Sequence, residues 1–247
     1  MPKFFVKTNQ IEKDKIKIVG EDVKHINQVL RAKIGEELMI CNLDTTLNYI
    51  TTVSQITPEY VICNIQDCVK SFVESNIQVT IFQGLPKADK MELIIQKAVE
   101  LGAFSVIPVE TKRCVVKLDA KKAAKKVARW QQIAESAAKQ SKRMLIPEIH
   151  EVMTYKEALA FAGHLDVKLI PYELAKGMKE TREILNELRP GQSIGIFIGP
   201  EGGFEEEEVS KALEAGAHAI TLGRRILRTE TAGLAILSVL MFQLENE

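Results

Sequence analysis

Several features that would settle a protein's class at once are scarce or missing here. The four cysteines, Cys41, Cys63, Cys68 and Cys114, form no CxxC pair and no metal-ligand spacing. That pattern argues against a disulfide framework or a metal site and predicts free thiols in a reducing compartment. No apolar run reaches membrane-spanning length, and the leading MPKFFVKTNQ has no secretion-signal core. The protein is therefore expected to stay where it is made, in the cytoplasm, without a membrane partner. There is no GxGxxG and no Gly-Lys-Ser/Thr. Net charge is also missing, since 33 Lys and Arg balance 33 Asp and Glu. Internal repeats and low-complexity segments do not occur.

What is present is ordinary in amount and uneven in arrangement. A chain of 247 residues, 46% hydrophobic and 27% charged, suits one large or two modest globular domains with a sizeable core. From Lys112 to Arg143 eleven Lys or Arg stand against only Asp119 and Glu135, while much of the compensating acid lies in the C-terminal part. Such a basic stripe reads either as a solvated helix face or as a nucleic-acid footprint.

Residues 1–72 read as a small β-rich domain. Strands are predicted at Phe4–Lys7, Lys15–Val19, Glu37–Cys41, Asn48–Val53 and Tyr60–Asp67, short and rich in β-branched residues. One helix interrupts them from Asp22 to Arg31, with Val23, Ile26, Val29 and Leu30 at helical spacing and a C-cap before Gly35. The polar stretch Ser71–Asn76 marks the boundary, so that 73–247 form a second domain. There a strand at Gln78–Phe82, a helix opened by an Asp89-x-x-Glu92 capping box and a strand at Phe104–Val109 imply a βαβ unit in a parallel sheet. A long helix is predicted over Lys117–Gln140, its inner face carrying Ala123, Val127, Trp130, Ile133 and Ala137. At that spacing Trp130 reads as core rather than as a stacking platform for a base. Thr154-x-x-Glu157 opens another helix, Val167–Ile170 is a strand, and Met178–Leu188 is a helix.

The most informative stretch is 193–240. A buried strand, Ile194–Ile198, runs into Gly199-Pro200-Glu201-Gly202-Gly203, where three glycines in five residues require a sharp turn or a close approach. A helix starts near Phe204 and a strand at Ala219–Leu222 leads into Gly223-Arg224-Arg225-Ile226-Leu227-Arg228. The last helix, from about Glu230, is apolar on nearly every side, as buried or subunit-contacting helices are. A strand, a glycine turn and a helix suggest a phosphate loop, but Glu201 and Glu205–Glu208 crowd the helix start and would repel an anion. A ligand of cationic character with many hydrogen-bonding edges fits the charges better.

IGPEGGF followed by LGRRILRTETA resembles the signature of the knotted SPOUT methyltransferases, and within them the ribosomal RNA small subunit methyltransferase E family. HINQVLR at 25–31, KMELIIQKAVELGAFSVIPVETKRCVVK at 90–117 and RWQQIAESAAKQSKRMLIPEI at 129–149 match in order, so the resemblance covers most of the chain. One departure is Glu205, where the family often has a Ser or Thr helix cap. The resemblance implies a PUA-like RNA-binding β-barrel over 1–72 and an α/β SPOUT trefoil-knot domain with an open parallel sheet over 73–247. The last helix would then thread the loop at Gly199–Gly203.

It further implies methylation of N3 of a uridine in small-subunit ribosomal RNA, with S-adenosylmethionine as donor and a homodimer as the working form. The donor would lie among Tyr172 and Glu173, Ile198, Gly199, Pro200, Glu201 and Gly202, and Leu222, Gly223, Arg225, Ile226 and Leu227. Glu201 would either contact the donor near its cationic groups or cap a neighbouring loop. RNA contacts would come from Arg31, Lys33, Lys90, Arg113, Lys117, Gln140 and Arg143. Taking the proton from N3 leaves a uridinate, which an arginine suits because its charge is permanent and its donors are planar. Arg228 is the first candidate, with Arg143 also considered catalytic. No general base stands out: His25, His150, His164 and His218 sit in no catalytic motif, and water or a carboxylate such as Glu230 would serve. A tRNA ribose methyltransferase and a non-catalytic RNA binder are the competing readings. A pure binder has no need of an intact donor motif.

Overall fold

The computed structural model describes residues 1–45, 47–70, 74–173, 175 and 177–245. The boundary expected at Ser71–Asn76 thus lies partly outside the described residues. The chain forms two compact units, 1–74 with 142–146, and 75–141 with 147–247.

In the first unit β1 (Lys3–Val6), β2 (Ile11–Glu12), β3 (Lys15–Val19), β4 (Glu37–Asn42), β5 (Leu47–Ile56) and β6 (Tyr60–Lys70) make a mixed sheet in the order β1-β4-β5-β6-β3-β2. Alternation decides which residues turn inward: Ile16 and Ile18 of β3, with Lys15 and Lys17 outward, join Phe4, Leu38, Ile40 and Val61 in the core. The expected single helix is two pieces. After α1 (Glu21–Lys24) the chain widens into a π-helical turn over His25–Leu30. The extra residue per turn keeps Val23 and Ile26 buried but rotates Val29 outward, where it is 69% exposed. The end falls at Arg31, as expected: Arg31 takes the left-handed conformation, φ 52°, and Ala32 N–H bonds back to Ile26 O.

Residues 142–146 return to this unit and are clasped by one carboxylate. Glu74 accepts from Arg143 Nη2 at 2.6 Å and Nε at 3.1 Å, from Met144 N–H at 2.6 Å and from Leu145 N–H at 3.0 Å. Cys41 Sγ reaches the Met144 carbonyl, and Lys3 Nζ the Lys142 carbonyl.

The second unit is a parallel sheet in the order β10-β8-β7-β12-β11-β13, with β9 also on β8. Its strands are β7 (Gln78–Gly84), β8 (Ser105–Glu110), β9 (Glu148–Ile149), β10 (Met153–Thr154), β11 (Val167–Pro171), β12 (Ser193–Ile198) and β13 (His218–Ile220). The helices are α2 (Lys90–Glu100), α3 (Ala120–Gln140), α4 (Tyr155–Ala162), α5 (Met178–Glu187), α6 (Glu206–Glu214) and α7 (Thr229–Leu244). Strands buried on both faces read as near-continuous apolar runs, as VTIF in β7 and IGIFI in β12 do. Phe82 and Phe197 stack between these strands with ring centroids 4.4 Å apart. Helix α2 packs on α3 and α7. Among the described residues no helix is long and apolar enough to cross a membrane.

Local signals mostly survive folding here, with two exceptions. The Thr154–Glu157 capping box forms as expected. The Asp89 box does not: Asp89 has φ −95° and ψ 13°, and the Glu92 N–H bonds its backbone carbonyl rather than its carboxylate. Helix α3 begins at Ala120 and not at Lys117, because the Asp119 carboxylate accepts the Lys122 N–H at 2.8 Å and caps it there. Trp130 is buried in the α3 inner face, as the spacing required.

Candidate active site

In open parallel sheets ligands bind beyond the carboxyl ends of the strands. Three loops meet there: Pro171–Glu173 after β11, Gly199–Phe204 after β12, and Thr221–Arg228 between β13 and α7. They line a cleft of about 480 Å³ and, sharing Tyr172, Glu173, Ile226 and Leu227 with it, a recess of about 340 Å³. Every residue expected around a donor lines one or both parts: Ile198, Gly199, Pro200, Glu201 and Gly202 the cleft, Leu222, Gly223 and Arg225 the recess, and the four just named both.

Crossing backbones shape the cleft floor. A Cβ on Gly84 would lie 2.7 Å from Pro200 N and Cδ, and one on Gly199 would lie 2.9 Å from Gly203 Cα. Neither position admits a side chain. Gly202, also expected at the crossing, instead rests on the Arg113 side chain, its virtual Cβ 3.3 Å from Arg113 Cβ. The Thr229 hydroxyl, at the start of α7, donates to Gly199 O at 2.6 Å and accepts from Gln83 Nε2 at 2.9 Å. Sequence reasoning passed over Thr229 and Gln83. The signal is a glutamine near the end of an apolar strand, where it is fully buried, and a threonine inside LRTETA.

The charged side chains divide into fastened and unfastened. Lys90 Nζ lies 2.9 Å from Glu201 Oε1 and 3.4 Å from Glu230 Oε2. Glu201 also accepts the Lys87 N–H at 3.2 Å, so it ties the loop before α2 to the glycine turn, as the capping reading anticipated. Burial raises the Glu201 carboxyl, but Lys90 and the Lys87 N–H outweigh it and leave the group below the usual range. Glu230 Oε2 makes no hydrogen bond among the described residues. Arg113 reaches Glu205 through Nε at 3.0 Å and Nη2 at 3.3 Å, and Gly202 O through Nη1 at 2.8 Å. Glu208 is buried and accepts both Lys112 N–H and Glu205 N–H at 2.9 Å. Glu207 is gripped by Lys112 and Lys211, whose hydrogen bonds hold its carboxyl down to about 2. The N-terminus of α6 thus carries its own carboxylates where a phosphate would have to sit. Arg228 lines the cleft, and no hydrogen bond or ion pair engages its guanidinium among the described residues.

The structure gathers only some of the expected RNA and catalytic residues here. Arg228, Lys90 and Arg113 line the cleft, and Glu230 stands against Lys90. Lys117 pairs with Glu110 at 3.0 Å, and Gln140 lies on a separate groove with Arg129 and Glu92. Arg31 and Lys33 are exposed in the first unit. Arg143 sits apart from these residues in the contacts it makes. Only 5% exposed and bound by Glu74 in the first unit, it lines no part of this cleft. A buried guanidinium must be paired, and its partner sits 69 residues away in sequence. Among the described residues no group of three or more His, Cys, Asp or Glu could hold a metal ion.

A family model described as an RNA methyltransferase domain matches residues 73–241, and one described as an RNA methyltransferase PUA domain matches 18–66. The chain is 38% identical over 251 residues to the ribosomal RNA small subunit methyltransferase E of Bacillus subtilis (strain 168), spanning 99% of this chain and 98% of that protein. The protein of the same name from Mesomycoplasma hyopneumoniae (strain 232) is 34% identical over 213 residues, 86% of this chain and 89% of that one. Among solved structures, the ribosomal RNA small subunit methyltransferase E from Neisseria gonorrhoeae bound to S-adenosyl methionine matches with a TM-score of 0.85, at 33% identity, over 98% of both chains.

Proposed function

This chain belongs to the ribosomal RNA small subunit methyltransferase E family, and on that premise we propose that it methylates N3 of a specific uridine in 16S ribosomal RNA. The fold is the family's, a PUA-like module followed by a SPOUT trefoil-knot open sheet. One observation carries the reading: the three loops assigned to S-adenosylmethionine converge on a cleft and an adjoining recess that share Tyr172, Glu173, Ile226 and Leu227.

The recess suits that donor. The backbone N–H groups of Arg224, Arg225, Ile226 and Leu227 donate to no protein acceptor among the described residues, so they are available to a ligand's heterocyclic edge. Glu173 and Glu201 supply negative charge for a cationic ligand. When bound, S-adenosylmethionine supplies an electrophilic methyl group on its sulfonium and leaves as S-adenosylhomocysteine once the C–S bond breaks. The chain's own work is to orient uridine N3 in line with that methyl and to stabilise the ring after N3 loses its proton. Arg228, unfastened in the cleft, is the group that offsets the uridinate charge. Glu230, paired with the cleft-lining Lys90, is the carboxylate that takes the N3 proton. Arg143, held by Glu74, is given no catalytic role.

On this reading Arg31 and Lys33 contact phosphate, the protein works in the cytoplasm on RNA within the small subunit, and two copies pair through α7. The exposed Val239 and Phe242 support that pairing. The deciding experiment is mass spectrometry of nucleosides from unmodified small subunits incubated with protein and donor. N3-methyluridine is the expected product. A ribose-methylated nucleoside, or no methylated nucleoside at all, would overturn the assignment.

A further inference from the structure

We propose that Arg113 is a positioning residue for the glycine turn at 199–203, holding its Gly202 carbonyl in place, and is not an RNA contact. The inference rests on the donor reading above for its affinity consequence alone.

The turn closes on itself through Gly203 N–H to Pro200 O at 2.9 Å. That bond fixes the two ends of the turn and leaves the Gly202 carbonyl to be held from outside. Arg113 does so. Its Nη1 meets Gly202 O at 2.8 Å, while Nε and Nη2 engage both oxygens of Glu205. A planar fork with several fixed donors can serve a carbonyl and both oxygens of a carboxylate together, which a lysine's single ammonium does with less geometric control. Below the head, the Arg113 stem supports the turn from the side, its Cβ 3.3 Å and its Cδ 3.5 Å from where a Gly202 Cβ would be.

The neighbouring residue makes the arrangement a fastening rather than a single contact. Lys112 donates its N–H to buried Glu208 and its ammonium to Glu207. Two consecutive residues after β8 are thus tied at successive points to the start of α6, directly after the turn. This gives the glutamate run a task that the sequence did not disclose: it receives Lys112 and Arg113. An RNA phosphate approaching Arg113 would meet a guanidinium whose charge Glu205 already offsets.

The test compares wild type with Arg113→Gln, Arg113→Lys and Glu205→Gln by three measurements. These are hydrogen exchange of the 199–205 peptide without donor, calorimetric affinity for S-adenosylhomocysteine, and RNA affinity across a salt series. Arg113→Gln is expected to speed exchange in 199–205 and weaken S-adenosylhomocysteine binding about three- to tenfold, the scale of one partly exposed charge-assisted hydrogen bond. Arg113→Lys recovers part of the loss, Glu205→Gln shifts both readouts less but in the same direction, and the RNA salt slope stays unchanged in all three. Unaltered exchange in Arg113→Gln overturns the proposal, as does a salt slope reduced by about one, the mark of a lost phosphate contact. So does tighter RNA binding by Glu205→Gln with the turn undisturbed. If wild type binds no S-adenosylhomocysteine, the donor reading fails while exchange still decides the role of Arg113. Should Arg113→Gln misfold, Glu205→Gln decides it.

Discussion

Gly84 and Pro200 lie so close that a single methyl group on Gly84 would come within 2.7 Å of the Pro200 nitrogen. The end of β7 and the turn after β12 therefore touch backbone to backbone directly beneath the cleft. Gly84→Ala must push that turn aside. The expected cost is about 1–3 kcal/mol, the usual range for overpacking, together with loss of S-adenosylhomocysteine binding. Urea denaturation and calorimetry measure the two effects, and an unchanged midpoint with normal binding would refute this account of the crossing.

Thr229 is expected to behave as a hydrogen-bonding residue whose methyl group matters little. Its hydroxyl joins Gln83 to the Gly199 carbonyl, and the Gln83 side chain is fully buried. Thr229→Val keeps the shape and strips the Gly199 carbonyl of this bond and Gln83 Nε2 of one of its two, the other running to Gly84 O, at a cost of about 1–3 kcal/mol for an abandoned polar group. Thr229→Ser keeps the hydroxyl and should stay near wild type in denaturant midpoint and donor affinity. Equal losses in both variants would show that packing, not the hydrogen bonds, is at stake.

Arg228→Ala should separate chemistry from binding. Among the described residues no hydrogen bond or ion pair depends on this guanidinium, so stability and donor affinity are expected to hold. Turnover on small-subunit RNA should drop by about a hundredfold or more, as when an oxyanion-stabilising donor is removed. Arg228→Lys should restore little, because a point charge does not reproduce paired planar donors. Single-turnover rates at saturating donor give the comparison.

The Glu74 clasp predicts an acid-sensitive first unit. Burial raises the Glu74 carboxyl, but the Arg143 hydrogen bonds and charge and the Leu145 and Met144 N–H groups outweigh it and depress the group below its ordinary value. A carboxyl depressed on folding adds stability that is complete above its unfolded pKa and disappears as pH falls through its folded one. Glu74→Gln should therefore be less stable than wild type at neutral pH, with the gap closing below about pH 4. Urea midpoints at several pH values test this, and a gap independent of pH would remove the ionised clasp from the explanation.

The outer face of α7 predicts self-association. Phe242 is 93% exposed, and Val239 stands one turn before it on the same side. Phe242→Asp is expected to convert a dimer into a folded monomer in light scattering. A wild-type monomer at high micromolar concentration would remove the dimer.

Features that depend on neighbours in the chain could be read from sequence. Alternation in β3 decided which isoleucines turn inward, Thr154 and Glu157 cap a helix from three residues apart, and Trp130 reads as core from helical spacing. The glycine turn and the arginine loop were legible as loops for the same reason, since they follow short strands that their own residues specify. Only the tertiary structure could decide which charges are spent inside the protein. Arg143, Arg113 and Glu201 look alike in sequence to residues that meet a ligand, yet Glu74, Glu205 and Lys90 hold them from 69, 92 and 111 positions away. Nor can local reasoning find Gly84, which ends one strand as many glycines do. Its constraint is that Pro200 passes 2.7 Å from where its side chain would begin, and that crossing exists only once the chain has folded back on itself.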